Sequence, residues 1–520
     1  MKKRFLLLLL IAIQTLSAFS QPLTSSEIDR LVEHTMKTFR VPGMAVAVVK
    51  DGKVIHSKGY GVISINTGKK VDENTLFGIA SNSKAFTAAT LAILVDEKKL
   101  SWDDKVIQYI PEFRMYNSYV TEDFTIRDLL THRSGLGLGA GDLMIWPDST
   151  KFTIHDVIYN LRFLKQTSPF RSKYDYDNLL YMVAGEVVTR VSGMSWEQFV
   201  EERILAPLGM NRSAASYARL KDPTNVIDGH TVVDKNLLVV TRQSMKQGFC
   251  SAGGIYSSIS DMSKWMICQL EGGKYGDQLE KQLFSATAQK EMWSPQINMP
   301  YQPLKYNSHF CAYGLGWKLT DVKGTKEVTH TGGLEGMVTQ VTMLPELKLG
   351  IVVLTNQESG SAFMSVTNSI KDSYLGIAPE DWVLRFDTLM AKSEKEEIQL
   401  NKKVQDDLDQ ALKVTEKQPD GKLFAGEYTD NWLGKVTLSL QNGKLHFQSA
   451  RSPQLRGEMS YYKGNTFVVR WVNRRMKADA FVMFNLDPEG NPTGFKMKAI
   501  SPLTDFSYDF HDLDFHRLTK

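Results

Sequence analysis

The segment Leu76-Phe-Gly-Ile-Ala-Ser81-Asn-Ser-Lys84-Ala-Phe-Thr87 leads into an apolar run from Ala85 to Val95, AFTAATLAILV. Apolar residues lie on nearly every side of that run, which is typical of a helix buried in a large protein. Positions i and i+3 share a helix face, so we expect the Lys84 amine beside the Ser81 hydroxyl. A serine hydroxyl is a weak nucleophile that needs a base within about 3 Å. The segment therefore predicts an activated serine, with a capping serine and a solvated lysine as the alternative.

Two further polar motifs stand downstream of this serine. Tyr176-Asp-Asn178 precedes Leu-Leu-Tyr181, and His330-Thr-Gly332 precedes a strand-like run ending at Thr355-Asn356. The S-x-x-K spacing alone arises about twice by chance in a chain of this length. The three motifs in this order resemble those of class C β-lactamases and the related serine hydrolases that share the penicillin-binding-protein fold. The resemblance covers about residues 25 to 375.

The resemblance implies an α+β fold in which an antiparallel sheet is flanked by helices and joined to a mostly helical subdomain. The order of elements by itself suggests an α+β or α/β domain whose sheet is completed by both ends of the segment, because strands come first, helices fill the middle and strands return near Gly314–Leu319, 337–344 and 350–355. Near the N-terminus, two apolar stretches joined by Asp51-Gly52 predict a hairpin.

The resemblance also implies roles for the motif residues. Ser81 is expected to be the acylated nucleophile, with Lys84 and the Tyr176 phenol sharing its proton. That sharing requires a lowered pKa for at least one of the two. Backbone N–H groups of Ser81 and of the edge strand after Gly332 are expected to form the oxyanion hole. The assigned residues are catalytic Ser81, Lys84 and Tyr176 and substrate-binding Asn178, His330, Thr331 and Gly332.

His330 is the main departure from the family pattern, which more often has lysine there. A lysine supplies a fixed charge for the carboxylate of a β-lactam, whereas histidine is mostly neutral at pH 7.

We expect an exported serine hydrolase acting on an ester or amide, as an esterase, D-peptidase or β-lactamase-like enzyme. The alternatives are an acyltransferase that passes the acyl group to a small-molecule hydroxyl acceptor, and a non-catalytic binding or sensing module.

Other chemistry-bearing patterns are weaker. The sequence has no P-loop, G-x-S-x-G, HExxH or CxxC pattern, and the implied chemistry requires neither metal nor organic cofactor. The run Gly135 to Gly141 meets only a loose dinucleotide pattern and is interpreted as a flexible loop. His132 is expected to be structural, and Asp177 either adds charge at the pocket mouth or points to solvent. Cys250, Cys268 and Cys311 permit one disulfide at most, and buried thiols are the favoured interpretation.

The C-terminal part differs in pattern from the rest. Residues 381–420 form a mixed-charge, helix-like linker, and residues 421–520 alternate short apolar and polar runs typical of a small antiparallel β barrel. The latter resembles lipocalin-like modules appended to this family. We expect it to border the active-site entrance and limit substrate size. Its aromatic residues, expected mainly in the core, are Trp432, Phe447, Tyr461, Tyr462, Phe467 and Trp471.

The N-terminus MKKRFLLLLLIAIQTLSAFSQ has a basic start, a short apolar run and small residues, so residues 1–20 are predicted to be a signal peptide cleaved after Ser20. The hydrolase domain would then span 21–380, and the mature protein is expected to be exported to a bacterial periplasm, without a membrane span. The chain has 62 basic and 58 acidic residues, a net charge of +4. That balance excludes a strongly basic nucleic-acid binder. The resemblance implies a small-molecule acyl substrate as the partner.

Overall fold

The computed structural model describes residues 21–233, 235–240, 245–300, 305–413 and 419–518. The predicted signal peptide, residues 1–20, lies outside the described residues. Helices in the described ranges are α1 Ser25–Phe39, α2 Ser83–Asp96, α3 Val106–Tyr109, α4 Ser118–Asp123, α5 Ile126–Leu129, α6 Ile154–Asn160, α7 Leu179–Ser192, α8 Trp196–Val200, α9 Cys250–Gly253, α10 Ile259–Leu270, α11 Ala286–Met292, α12 Gly360–Tyr374, α13 Trp382–Lys413 and α14 Gly421–Phe424.

An antiparallel sheet forms the centre of the N-terminal part. Its strands within the described residues are β1 Gly43–Lys50, β2 Lys53–Gly61, β3 Ile297–Asn298, β4 Cys311–Tyr313, β5 Lys318–Val322, β6 Thr325–Leu334, β7 Met337–Leu344 and β8 Leu349–Thr355. They have the order β2-β1-β8-β7-β6-β5-β4-β3, so the two ends of the segment meet where β1 pairs with β8.

In the described ranges, three small two-stranded sheets accompany the central one. They pair Phe77–Gly78 with Tyr256–Ser257, Gly229–Val233 with Asn236–Val240, and Lys274–Tyr275 with Lys281–Gln282. The first of these ties the segment before Ser81 to the segment before α10.

Two layers of helix cover the central sheet. Val46 and Val48 of β1 face a core shared with α1, α12 and Trp382. Ala45 and Ala47 face the opposite core, which includes α2, α7 and α10. This alternation follows from the two-residue period of a strand, and both faces are apolar because both are buried. The expected α+β arrangement is confirmed.

Local sequence signals predicted several elements well. The β1–β2 hairpin turns at Asp51 and Gly52, both with left-handed backbone (φ 51° and 73°), as the Asp-Gly signal predicts. The strand predicted near Gly314–Leu319 is displaced, because residues 314–317 turn between β4 and β5 and only Lys318 and Leu319 belong to β5. Gly316 has φ 78°, and a Cβ there would lie 2.8 Å from the Lys84 carbonyl oxygen. That segment must bend to pass the start of α2.

Helix α13 occupies most of the predicted linker and is packed at both of its ends. Trp382 is buried, and its indole N–H donates to Asp372 at 2.8 Å. Toward the other end, Val404 and Leu408 pack against Val468 of the C-terminal part. The charged residues between these contacts face solvent, which explains the mixed-charge pattern.

A closed eight-stranded antiparallel barrel is formed within residues 419–518, confirming the predicted fold of the C-terminal part. Its interior is filled by aromatic rings, including those of Phe447, Phe467 and Trp471, so these residues serve the core. Tyr461 and Tyr462 are half-buried. The strands are β9 Gly426–Asp430, β10 Gly434–Gln441, β11 Lys444–Ser449, β12 Arg456–Lys463, β13 Thr466–Trp471, β14 Ala480–Leu486, β15 Pro492–Ala499 and β16 Phe515–Arg517.

Two further findings concern the described ranges. Cys250, Cys268 and Cys311 are buried free thiols, as favoured from the sequence. None of the described helices combines the length and the apolar character needed to cross a bilayer.

Candidate active site

Ser81 lies in a short 3-10 turn, Ala80–Asn82, immediately before α2. Ala80 has a left-handed backbone (φ 50°), which is unfavourable for a residue with a side chain. Thr339 of β7 holds this turn, since its hydroxyl donates to the Ile79 carbonyl at 2.9 Å and accepts from the Asn82 amide at 2.9 Å. The sheet thereby fixes the position of Ser81.

Lys84 is completely buried one helical turn after Ser81. Its Nζ lies 3.1 Å from Ser81 Oγ, 2.7 Å from Asn178 Oδ1 and 2.8 Å from the Ala252 carbonyl oxygen. Burial lowers the pKa of Lys84 to about 7, although the carboxyl groups of Asp142 and Asp177 pull it upward. A substantial fraction of the amine is therefore neutral near pH 7.

The neutral Lys84 amine has a geometry suited to a base. It carries two N–H donors and one lone pair. The Asn178 and Ala252 oxygens take the two donors, so the lone pair is left for the Ser81 hydroxyl. Deprotonated Lys84 can accept the serine proton without rearranging.

Tyr176 stands on the other side of the serine. Burial raises the pKa of its phenol well above the ordinary value, and the hydrogen bond to Ser81 offsets only part of that effect. Lys84 Nζ lies 4.8 Å from the centre of the Tyr176 ring. Of the two groups expected to share the serine proton, Lys84 has the lowered pKa and Tyr176 keeps its proton.

Asn178 precedes α7 and joins the lysine to a buried carboxyl group. Its Nδ2 donates to Asp142 Oδ2 at 2.7 Å, while its Oδ1 accepts from Lys84. Burial raises the pKa of Asp142 to about 8. The sequence reasoning missed Asp142, which follows the glycine-rich run and carries no motif of its own.

His330 lies on β6 and is buried. Burial, with the charge of Lys84, lowers its pKa to about 3, so the imidazole is neutral at physiological pH. Its Nδ1 lies 2.6 Å from the Thr331 carbonyl oxygen, which assigns the proton to Nδ1, and its Nε2 accepts from the Tyr313 hydroxyl at 2.8 Å. Thr331, by contrast, is exposed. This wall of the site therefore presents the hydroxyl of Thr331, and residue 330 supplies no fixed positive charge.

The second half of β6 forms an open edge beside Ser81. The pairing of β6 with β5 ends at Thr329, whereas the pairing with β7 continues to Leu334. The free strand edge expected after Gly332 is therefore confined to residues 330–334, which pair with β7 but not with β5. A Cβ at Gly332 would lie 2.3 Å from the Ile79 carbonyl oxygen, so only glycine allows the strand to approach the serine turn this closely.

Asp177 and the glycine-rich run differ from the sequence interpretation. Asp177 is neither at the pocket mouth nor solvated, because it is buried and accepts from the backbone N–H of Leu179 at 3.0 Å at the start of α7. Its role is to cap that helix. The run Gly135 to Gly141 is a docking surface for the C-terminal barrel: Gly141 N–H donates to Asp509 at 2.6 Å.

His132 is structural in this arrangement. Its Nδ1 accepts from the Asp177 backbone N–H at 3.0 Å, and its ring packs 4.3 Å from that of Tyr176 and 4.6 Å from that of Tyr313, centre to centre. Burial lowers its pKa well below the ordinary value. A neutral, fully packed imidazole orients Tyr176.

The C-terminal barrel reaches the mouth of the site. Phe506 packs edge-on against Tyr176 with ring centres 5.7 Å apart, yet 39% of its surface remains exposed. Leu138 of the glycine-rich run is 44% exposed and precedes Gly139, which lies against Phe506. The barrel also contacts the N-terminal part just after β8, where Lys477 pairs with Glu358 at 3.1 Å. Within the part of the chain that is described, no group of three His, Cys, Asp or Glu residues could hold a metal ion.

The fold and the Ser-Lys-Tyr arrangement define a protein of the β-lactamase type, and the chain belongs to the beta-lactamase family, whose model matches residues 28–372. Membership of this family supports an enzyme of the serine hydrolase type. Residues 415–517 match a second model, described as a domain of unknown function (DUF3471).

Similar proteins include the unguisins hydrolase ungD of Aspergillus violaceofuscus (strain CBS 115571), 28% identical over 72% of this chain and 69% of that protein. Protein flp of Staphylococcus aureus (strain NCTC 8325 / PS 47) is 26% identical over 65% of this chain and 64% of its own length. The octameric penicillin-binding protein homologue from Pyrococcus abyssi has a similar structure, with a TM-score of 0.60 at 21% identity, covering 94% of this chain and 99% of that one. That likeness concerns the fold alone.

Gly332→Ala tests the close approach of β6 to the serine turn. The added methyl group overlaps backbone, so we expect a loss of about 1–3 kcal/mol in the free energy of unfolding and slower acylation of Ser81. Gly333→Ala is the matched control for stability, because a Cβ there meets nothing within 4 Å. Denaturant unfolding of both variants measures the difference, and equal stability of the two would contradict the packing described.

Proposed function

We propose that this protein is a hydrolase that cleaves an ester or amide through an acyl-Ser81 intermediate. The observation that carries the proposal is the buried Lys84 amine, whose two donors are taken by carbonyl oxygens and whose lone pair is left for Ser81. A non-catalytic binding module would not need a lysine held in its basic form. The alternative of a silent module is therefore disfavoured.

The proposed reaction has two stages. In the first, Ser81 Oγ attacks the carbonyl carbon while Lys84 takes the hydroxyl proton, and backbone N–H groups of Ser81 and of the strand after Gly332 stabilise the oxyanion. The Tyr176 phenol donates a proton to the leaving group, and Lys84 can return its proton to the phenol. In the second stage water attacks the acyl carbon and gives a proton to Lys84, and Lys84 passes that proton to Ser81 Oγ as the bond from Oγ to the acyl carbon breaks and the acid leaves.

The walls of the site indicate the kind of substrate. His330 is neutral and already bonded to Tyr313, so it supplies no charge for a substrate carboxylate. Phe506 and Leu138 offer exposed apolar surface at the mouth. These features favour an uncharged ester or amide with an apolar acyl group over a β-lactam antibiotic.

Hydrolysis is preferred to acyl transfer as the fate of the intermediate. One similar protein is named a hydrolase, and water requires no dedicated acceptor site. We further propose that the chain is exported to a periplasm, which is supported by its basic and then apolar N-terminal sequence.

Acylation of Ser81 is tested by intact-protein mass spectrometry with activated acyl esters. We expect an acyl adduct on the parent and none on Ser81→Ala. The acylation rate should rise with pH around pH 7, because the active form of Lys84 is the neutral amine and protonation removes it below its pKa of about 7. No adduct with any ester, or a rate that does not fall between pH 8 and pH 5, would contradict the proposal.

Phe506→Ala tests the apolar mouth. Removing the ring should raise KM for an octanoyl ester about tenfold, through lost contact with the acyl chain, and leave the acetyl ester nearly unaffected. Leu503→Ala is the matched control, because Leu503 is an exposed apolar residue of the same segment. Steady-state kinetics with both esters provides the measurement. Equal effects of the two variants on the octanoyl ester would show that Phe506 does not contact the substrate.

A further inference from the structure

A continuous chain of buried polar side chains joins the barrel to the candidate base. Ser507 Oγ, on the segment between β15 and β16, donates to Asp142 Oδ2 at 2.8 Å. Asn178 Nδ2 donates to the same oxygen at 2.7 Å, and Asn178 Oδ1 accepts from Lys84 at 2.7 Å. Ser507 is 7% exposed, Asn178 is 9% exposed, and Asp142 and Lys84 have no exposed surface. The chain of side chains is therefore largely shielded from bulk water.

We propose that Ser507 is a positioning residue for Lys84, so that the docked C-terminal barrel completes the catalytic centre of the N-terminal domain. This inference rests on the proposed function, in which neutral Lys84 is the base. Ser507 does not touch the reacting atoms. It acts through Asp142 and Asn178, which orient the lysine.

The orientation of the Asn178 amide is what Asp142 controls. With its Nδ2 toward the Asp142 oxygen, the amide must present its Oδ1 to Lys84, as observed. The reversed amide would place Asn178 Oδ1 against the Asp142 carboxyl oxygen, both of them acceptors, and Asn178 Nδ2 against the N–H groups of Lys84, both of them donors. Holding Asp142 in place therefore holds the carbonyl that takes one of the two N–H donors of Lys84.

Ser507 is itself placed by the docking of the barrel. Two residues further on, Asp509 accepts from the backbone N–H of Gly141 at 2.6 Å and of Leu143 at 3.4 Å. These bonds flank Asp142 on both sides. The barrel segment is thus fixed on the turn that carries the Asp142 carboxyl group. A Cβ at Gly139 would lie 2.6 Å from the Phe506 carbonyl oxygen, so glycine at this position permits the close approach of the barrel segment.

The hydrogen bond from Ser507 also has an electrostatic consequence. It favours the ionised form of Asp142 and opposes the effect of burial on that pKa. An ionised Asp142 stabilises the ammonium form of Lys84, so loss of the bond should lower the pKa of Lys84. The groups that face these two are Asp177, Asp509, Tyr176, Tyr181, His132 and His330, all of which remain in the variants below.

The test compares Ser507→Ala with Ser501→Ala in the full-length chain. Ser501 belongs to the same segment, but its Oγ lies 3.2 Å from Glu397 of α13, away from Asp142. We measure the rate of Ser81 acylation by an activated ester from pH 5 to pH 9. In the parent, the acylation rate should be constant at high pH (the plateau) and should fall as Lys84 is protonated at low pH (the acid limb). Ser507→Ala should lower the plateau rate about five- to tenfold and move the acid limb to lower pH. Ser501→Ala should match the parent in both respects.

Asp142→Asn supplies the second half of a double-mutant cycle. In that background Ser507→Ala should no longer move the acid limb, because the carboxyl group through which it acts is gone. Ser507→Cys keeps the side-chain size with a weaker donor and should shift the limb in the same direction, so it decides the matter if the alanine variant does not fold.

The outcomes separate this inference from the proposed function. An unchanged acid limb in both Ser507 variants, with or without a lower plateau, would overturn the positioning role and leave only packing. A limb that still moves in the Asp142→Asn background would overturn the route through Asp142. Absence of any adduct on the parent would instead overturn the acyl-serine proposal itself.

Discussion

A lysine amine without exposed surface must be solvated by protein atoms, and Lys84 is solvated by neutral oxygens. Its direct contacts are one side-chain carbonyl, one backbone carbonyl and the Ser81 hydroxyl. Asp142 and Asp177 act on its pKa from outside this contact shell. A carboxylate in direct contact would stabilise the ammonium form of Lys84. Because the carboxyl groups of Asp142 and Asp177 lie beyond the atoms that contact the amine, the amine stays available as a base.

The surrounding fold is arranged to keep that amine against the serine. The turn before α2 bends sharply at Ala80, β7 holds the turn through Thr339, and β6 approaches it where Gly332 has no side chain. On the far side, α7 begins at Leu179 under the cap of Asp177 and thereby fixes Asn178. The N-terminal sheet, the helical region and the barrel all contribute to one buried polar cluster.

Sequence reasoning succeeded where the signal was local. The Ser81–Lys84 spacing follows from helix geometry, and the Asp51-Gly52 turn follows from its left-handed backbone. It failed where burial decides the outcome, as for Asp177, whose charge indicated solvent although its carboxyl caps a helix. It could not find the bond between Ser507 and Asp142, because the two residues are 365 positions apart and no pattern links them.

The pKa of the Lys84 amine is the quantity on which the mechanism depends, and it can be measured directly. Full-length protein carrying 13C at the lysine Cε positions would be titrated by NMR, with Lys84→Met identifying the signal. The structure predicts a resonance that titrates near pH 7, well below that of exposed lysines. A Lys84 signal that titrates at the ordinary value of about 10.4 would show that the amine is charged at neutral pH and cannot be the base.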